Sequence, residues 1–230
     1  MIHNNDAPGI SAILFDMDGV LADSELLWND IDAAMLAEHG VSYSGELKHE
    51  VLGKSFPIAL NFYRDHFKLS TTVEELMVRR HAIAADFYAH RIGIYPDAQP
   101  VLRTLKEGGY KIALATSSIS ELVLPFLDRH ELTPFFDAII TGEQVERGKP
   151  NPDIYLLAAG KVGAAPENCL VVEDAVSGTQ AGKAAAMRVA AIPDVRFVDP
   201  GVFDDLADYV LGNLGELPAL VNRLHMTHSR

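Results

Sequence analysis

Apolar residues fall along the chain in two rhythms. Short, largely aliphatic runs at 10–15, 111–115, 138–140, 170–172 and 189–192 are rich in Val, Ile, Leu and Ala and are bounded by polar residues, Gly or Pro. Such runs predict buried strands rather than half-exposed ones, which would alternate. Between them, 98–107, 119–129, 152–161 and 177–186 carry apolar residues at helical spacing. Strands alternating with helices of this length predict βαβ units and a parallel sheet with both faces covered.

The stretch 24–95 breaks that rhythm. It holds helical patterns at 25–38, 45–52, 57–66 and 73–90 and no convincing strand. The pattern predicts a helical module, 24–95, inserted into a core made of 1–23 and 96–230, and a frayed tail at 225–230.

Composition narrows the class. The chain has 230 residues, 48% hydrophobic, enough for a sizeable core. Nineteen Lys and Arg against 32 Asp and Glu leave a net charge of −13. That surface repels phosphate backbones, so no nucleic acid partner is expected. Cys169 is the single cysteine and lies in an apolar run, so it reads as a buried structural thiol. The first nine residues are polar, unlike a signal peptide, and no apolar run approaches the ~20 residues that span a bilayer. A cytoplasmic protein without a membrane partner is expected.

Four strand ends carry groups suited to phosphate, and open α/β sheets bind ligands at that edge. The first run ends in Asp16-Met17-Asp18-Gly19, with Asp23 and Ser24 following. Two carboxylates directly after a buried strand are costly without a cation, although an Asp-rich turn is the plain alternative. The second ends in Thr116-Ser117-Ser118, whose hydroxyls and amides could bind an anion or simply cap the next helix. After the third comes Gly148-Lys149-Pro150-Asn151-Pro152-Asp153, where two prolines restrict the loop that carries Lys149. The fourth ends in Glu173-Asp174, oxygen donors that suit a hard cation such as Mg²⁺.

Taken in order, these motifs resemble the haloacid dehalogenase superfamily, whose phosphatases show D-x-D-G-x-x-x-D-S-E, a strand-end Thr or Ser, G-K-P-x-P-D and an E-D pair. The resemblance runs from about 11 to 214. It implies a Rossmann-like core with a four-helix cap at 24–95, as in the β-phosphoglucomutase-like subgroup. It further implies that Asp16 is the nucleophile and Asp18 the acid and base. Thr116, Lys149, Ser117 and Ser118 would bind the transferring phosphoryl group. Mg²⁺ would be held by Asp16, Asp174 and the Asp18 carbonyl, with Glu173 at the metal site orienting a metal-bound water. Gly53 and Lys54 match the cap's specificity loop, and Trp28 lies on the first cap helix. Lys54 also reads as a surface lysine and Trp28 as a packing residue.

The implied activity is Mg²⁺-dependent hydrolysis of a small phosphate ester, a sugar phosphate by analogy, in a monomeric cap-and-core enzyme. A sugar-phosphate mutase shares every core residue. The mutases of the family carry a histidine on the first cap helix and an arginine in the cap loop, where Trp28 and Phe56 stand here. Hydrolysis therefore leads. A dehalogenase has no need of Asp18 and the acidic pair. A phosphonoacetaldehyde hydrolase would need a differently spaced cap lysine, and a non-catalytic binding protein would not need all the catalytic positions filled.

Overall fold

A computed structural model describes residues 9–24, 27–43, 47–51 and 56–226, with the backbone alone for Lys48, His49, Phe56, His225 and Met226. The chain divides into two compact units, one of residues up to Asp23 together with those from Gly93 onward, the other Ser24–Ile92.

The first unit is built on a six-stranded parallel sheet. Its strands are β1 (Ala12–Phe15), β2 (Lys111–Ala115), β3 (Ala138–Ile140), β4 (Cys169–Glu173), β5 (Arg188–Ala191) and β6 (Tyr209–Val210), in the order β3-β2-β1-β4-β5-β6. β1 is the centre: Phe15 is level with Leu114 of β2 on one side and Val172 of β4 on the other. Every residue of β1 and β4 is buried, as the apolar residues 12–15 and 169–172 require, and Glu173 at the end of β4 is a buried carboxylate. Two helices, α7 (Asp153–Val162) and α8 (Val176–Ala184), cover one face. There Ile154, Tyr155, Ala158 and Ala181 pack on Leu14, Ala113, Val171 and Val189. A further pair, α5 (Ala98–Glu107) and α9 (Leu217–Met226), packs together with α5 against β2. α6 (Ser120–Arg129) follows β2 and buries Leu122, Val123, Phe126 and Leu127 despite its internal Pro125.

The chain reverses direction about β1. It moves from β1 to β2 and β3 on one side, then crosses back to β4 on the other. At such a switch point the loops leaving β1 and β4 diverge and open a crevice at the carboxyl edge.

The second unit contains α1 (Leu27–Ala37), α2 (Lys48–Val51), α3 (Phe56–His66) and α4 (Val73–His90), with α1 and α3 packed on α4. α4 starts at a capping box: Glu75 N donates to Thr72 Oγ1 at 3.1 Å and Thr72 N to Glu75 Oε2 at 2.9 Å. Arg80 on α4 donates to Asp32 on α1 at 2.7 Å, both largely shielded from solvent. Tyr63 OH reaches the same carboxylate at 3.4 Å, and Tyr43 and Tyr63 hydroxyls meet at 3.0 Å.

Residues 93–95 belong with the sheet unit, not with the helices as the sequence pattern suggests. Asp23 N donates to Gly93 O at 3.1 Å, Tyr95 N to Leu21 O at 3.0 Å, and Ala22 bridges Ile94. This pairing is long-range, so local pattern does not reveal it. Gly53, Lys54 and residues 227–230 of the expected frayed tail lie outside the described residues. Among the described residues no helix is long and apolar enough to cross a membrane.

Candidate active site

β1, β2 and β4 deliver their terminal residues to one place. Asp16 continues the ladder past β1, its amide donating to Val172 O at 2.9 Å. Lys149 reaches back from the proline-bounded loop before α7. Its Nζ lies 2.6 Å from Asp16 Oδ1 and 2.6 Å from Glu173 Oε1, and its side chain is 6% exposed. A solvated surface lysine is thereby ruled out. Among the described residues, Asp16, Glu173 and Asp174 form the one acidic group able to hold a metal, each offering an oxygen within 4.8 Å of the others.

After Asp16 the chain turns sharply. Leu21 N and Ala22 N both donate to Met17 O, at 2.9 and 2.8 Å, and Gly19 N donates to Ala22 O at 2.9 Å. Gly19 has φ +76°, and a Cβ there would overlap the Asp174 carboxylate. Glycine is thus needed twice over, for the left-handed backbone and for the close approach of Asp174 to the turn.

Thr116 follows β2 and is buried; its Oγ1 accepts from Ser118 N at 3.0 Å. Ser118 Oγ in turn donates to Asp18 Oδ2 at 2.8 Å, linking the second and first motifs across 100 residues. So Ser118 touches the half-buried Asp18, and its amide is engaged by Thr116, whereas Ser117 is exposed. The simple capping reading of 116–118 omits this link.

The electrostatics follow from burial. Loss of solvent pushes the Asp16 carboxyl up to about 7; Lys149 opposes that shift, while Glu173 and Asp18 add to it. Burial alone would push Lys149 down, but the Asp16 and Glu173 carboxylates outweigh it and hold the ammonium above the usual lysine range. One lysine therefore does not neutralise the group. The donor set is all oxygen, it gathers at a turn that closes on Asp174, and burial raises the affinity of the Asp16 carboxylate for positive charge. Each of these observations fits a hard divalent cation.

The remaining candidate, Trp28, packs its ring on Tyr88 at 6.0 Å between centroids, with the Arg80 guanidinium 4.6 Å away. These contacts carry the packing half of its two readings. One residue was not singled out from sequence: Tyr155, fully buried on α7, donates its hydroxyl to Glu173 Oε1 at 2.6 Å. Its ring reads as ordinary helix core. The available signal is that a buried tyrosine hydroxyl needs a partner.

Fold and site together define a Rossmann-like enzyme of phosphate chemistry. Residues 13–192 match the family model of the haloacid dehalogenase-like hydrolases, and the chain belongs to that family. A phosphorylated carbohydrates phosphatase from Thermotoga maritima is 31% identical over 178 residues, 77% of this chain and 82% of its own. Hexitol phosphatase B from Escherichia coli (strain K12) is 33% identical over 219 residues, 91% of this chain and 95% of its own. CbbY from Rhodobacter sphaeroides, solved in complex with phosphate, is 27% identical with TM-score 0.76, over 90% of this chain and 96% of that one. A β-phosphoglucomutase from Clostridium difficile shares the fold, with TM-score 0.74 over 96% of this chain and 100% of its own at 19% identity. The protein is thus a phosphoric monoester hydrolase of the β-phosphoglucomutase-like subgroup.

Proposed function

We propose that this protein is a Mg²⁺-dependent phosphatase of a small phosphorylated sugar or sugar alcohol, working through a phosphorylated Asp16. The observation that carries the reading is the contact of Asp16 with Lys149 inside an acidic oxygen cluster at the sheet's switch point. Asp16 Oδ attacks phosphorus, the P–O bond to the sugar breaks, and Asp18 gives its proton to the leaving alkoxide. Asp18 then takes a proton from the water that attacks the aspartyl-phosphate. The second P–O bond breaks, orthophosphate departs, and the Asp16 carboxylate is restored. Lys149, the Thr116 hydroxyl and the Ser117 amide bind the phosphoryl oxygens, and Ser118 holds Asp18 in place through the 2.8 Å bond.

Mg²⁺ would be held by Asp16, Asp174 and the carbonyl of Asp18. When bound, it screens the two anions that must meet and steadies charge on the transferring oxygens. Glu173 anchors Lys149. The helical unit takes the role of a cap that sets specificity, with Gly53, Lys54 and Trp28 as its candidate residues. A cytoplasmic monomer acting on a small phosphate ester, with neither nucleic acid nor membrane as partner, completes the reading.

The two phosphatase relatives support hydrolysis over phosphoryl return to the sugar, as does Trp28 in the place of the mutase histidine. The test is phosphate release from a panel of hexose, pentose and hexitol phosphates, with and without Mg²⁺, beside an assay for interconversion of glucose 1- and 6-phosphates. Mg²⁺-dependent release abolished by Asp16→Asn is expected. Efficient interconversion with little phosphate released would overturn the hydrolase reading.

A further inference from the structure

Glu173 is an unusually occupied carboxylate. Oε1 accepts from Lys149 Nζ and from Tyr155 OH, both at 2.6 Å, while Oε2 accepts from the amides of Asp174 and Ala175, both at 3.2 Å. A carboxylate offers about four acceptor directions, so each has a donor. Gly178 closes the remaining side, since a Cβ there would overlap the carboxylate. Glu173 is therefore pinned.

Lys149 is not pinned in the same way. It is shared between Glu173 and Asp16, and its Nζ stands 4.9 Å from the centre of the Tyr155 ring. To serve a phosphoryl group at Asp16, the ammonium must shift some of its bonding onto phosphoryl oxygens. If Lys149 were the sole donor to Oε1, that shift would strand a buried anionic oxygen, which is costly. The Tyr155 hydroxyl removes that obstacle because it continues to satisfy Oε1 while Lys149 moves.

We infer that Tyr155 is a positioning residue that frees Lys149 for the phosphoryl group by holding the charge of Glu173. The inference rests on the proposed phosphatase reading and adds a residue to it. It acts through Lys149 without touching substrate, and its ring face steadies the ammonium on the path.

The experiment uses the 230-residue chain with Mg²⁺ and takes inorganic phosphate as the probe, read as a competitive inhibitor. Tyr155→Phe keeps the ring and removes one charge-assisted bond. It is expected to weaken phosphate inhibition and kcat/KM by about tenfold or more. The Mg²⁺ half-saturation is expected to stay unchanged. Adding Tyr155→Phe to Lys149→Met should weaken phosphate inhibition no further, because Tyr155 acts through that lysine. Phosphate inhibition and kcat/KM within twofold of wild type would overturn the inference, as would full additivity with Lys149→Met. A Tyr155→Phe chain that does not fold would also overturn it, since the hydroxyl would then be a requirement of folding. Failure of the wild-type chain to release phosphate at all would instead refute the functional reading beneath it.

Discussion

Replacing Lys149 with methionine probes the site most directly. Met preserves much of the stem and deletes the ammonium that lies 2.6 Å from both Asp16 and Glu173. At an effective dielectric near 20, each contact carries roughly 6 kcal/mol of Coulomb attraction, against which desolvation of three buried charges must be set. Removing one partner from a buried ion pair typically costs about 3–5 kcal/mol net. For a chain of this size that corresponds to a fall in Tm of roughly 6–20 °C. The loss should be smaller near pH 5 than near pH 8, because Asp16 can take a proton and relieve part of the uncompensated charge. Mg²⁺ should restore much of the stability by neutralising Asp16 and Asp174. It should not restore turnover, which needs the ammonium on the phosphoryl oxygens and should remain down by about 10²–10³. Calorimetry with EDTA and with Mg²⁺, paired with phosphate release, reads both effects. A variant within about 1 kcal/mol of wild type without metal, or one whose activity returns with Mg²⁺, would refute the reasoning.

The metal-free protein should lose stability as pH rises from about 4 to about 7. In that window folded Asp16, with its pKa near 7, retains a proton that the unfolded chain, with its ordinary value of 3.8, releases. Asp16→Asn should flatten this decline in Tm measured in EDTA, and an unchanged slope would count against the burial argument. Gly19→Ala forces a Cβ into the Asp174 carboxylate at a left-handed residue, so the Mg²⁺ half-saturation should rise about tenfold or more. Titrating Mg²⁺ against phosphate release checks this, and an unaltered midpoint would contradict the close approach. In the helical unit, Arg80→Met removes the bond to Asp32 and the contact over Trp28 and should cost about 1–3 kcal/mol. Trp28 is the only tryptophan, so its fluorescence during denaturation reports on this unit, and an unmoved midpoint would show the pair to be ornamental.

Central strands were legible because they are buried on both faces: apart from Lys111 at the start of β2 and Glu173 at the end of β4, all residues of β1, β2 and β4 are apolar, and such short apolar runs mark buried strands. β6 was not. It is two residues, Tyr209–Val210, paired with Ala190 and Ala191 at the edge, and two residues carry no period. The amphipathic α9 beyond it escaped with it. Residues 93–95 look like the end of a helical stretch until their pairing with 21–23 is seen.

The same division runs through the site. Asp16, Asp18, Lys149, Glu173 and Asp174 stand in motifs whose spacing is local, two carboxylates around a turn or a lysine just ahead of two prolines, and local chemistry is what a sequence displays. Tyr155 differs, since nothing in its neighbourhood distinguishes a core ring from one whose hydroxyl meets a carboxylate from another strand. Nor does the spacing of Ser118 from Asp18 announce their bond. By itself the sequence determined which residues can carry the charge and which segments must be buried. Only the tertiary structure decided which charges meet, because the order β3-β2-β1-β4 brings separate strand ends together and burial then sets the strength of each contact.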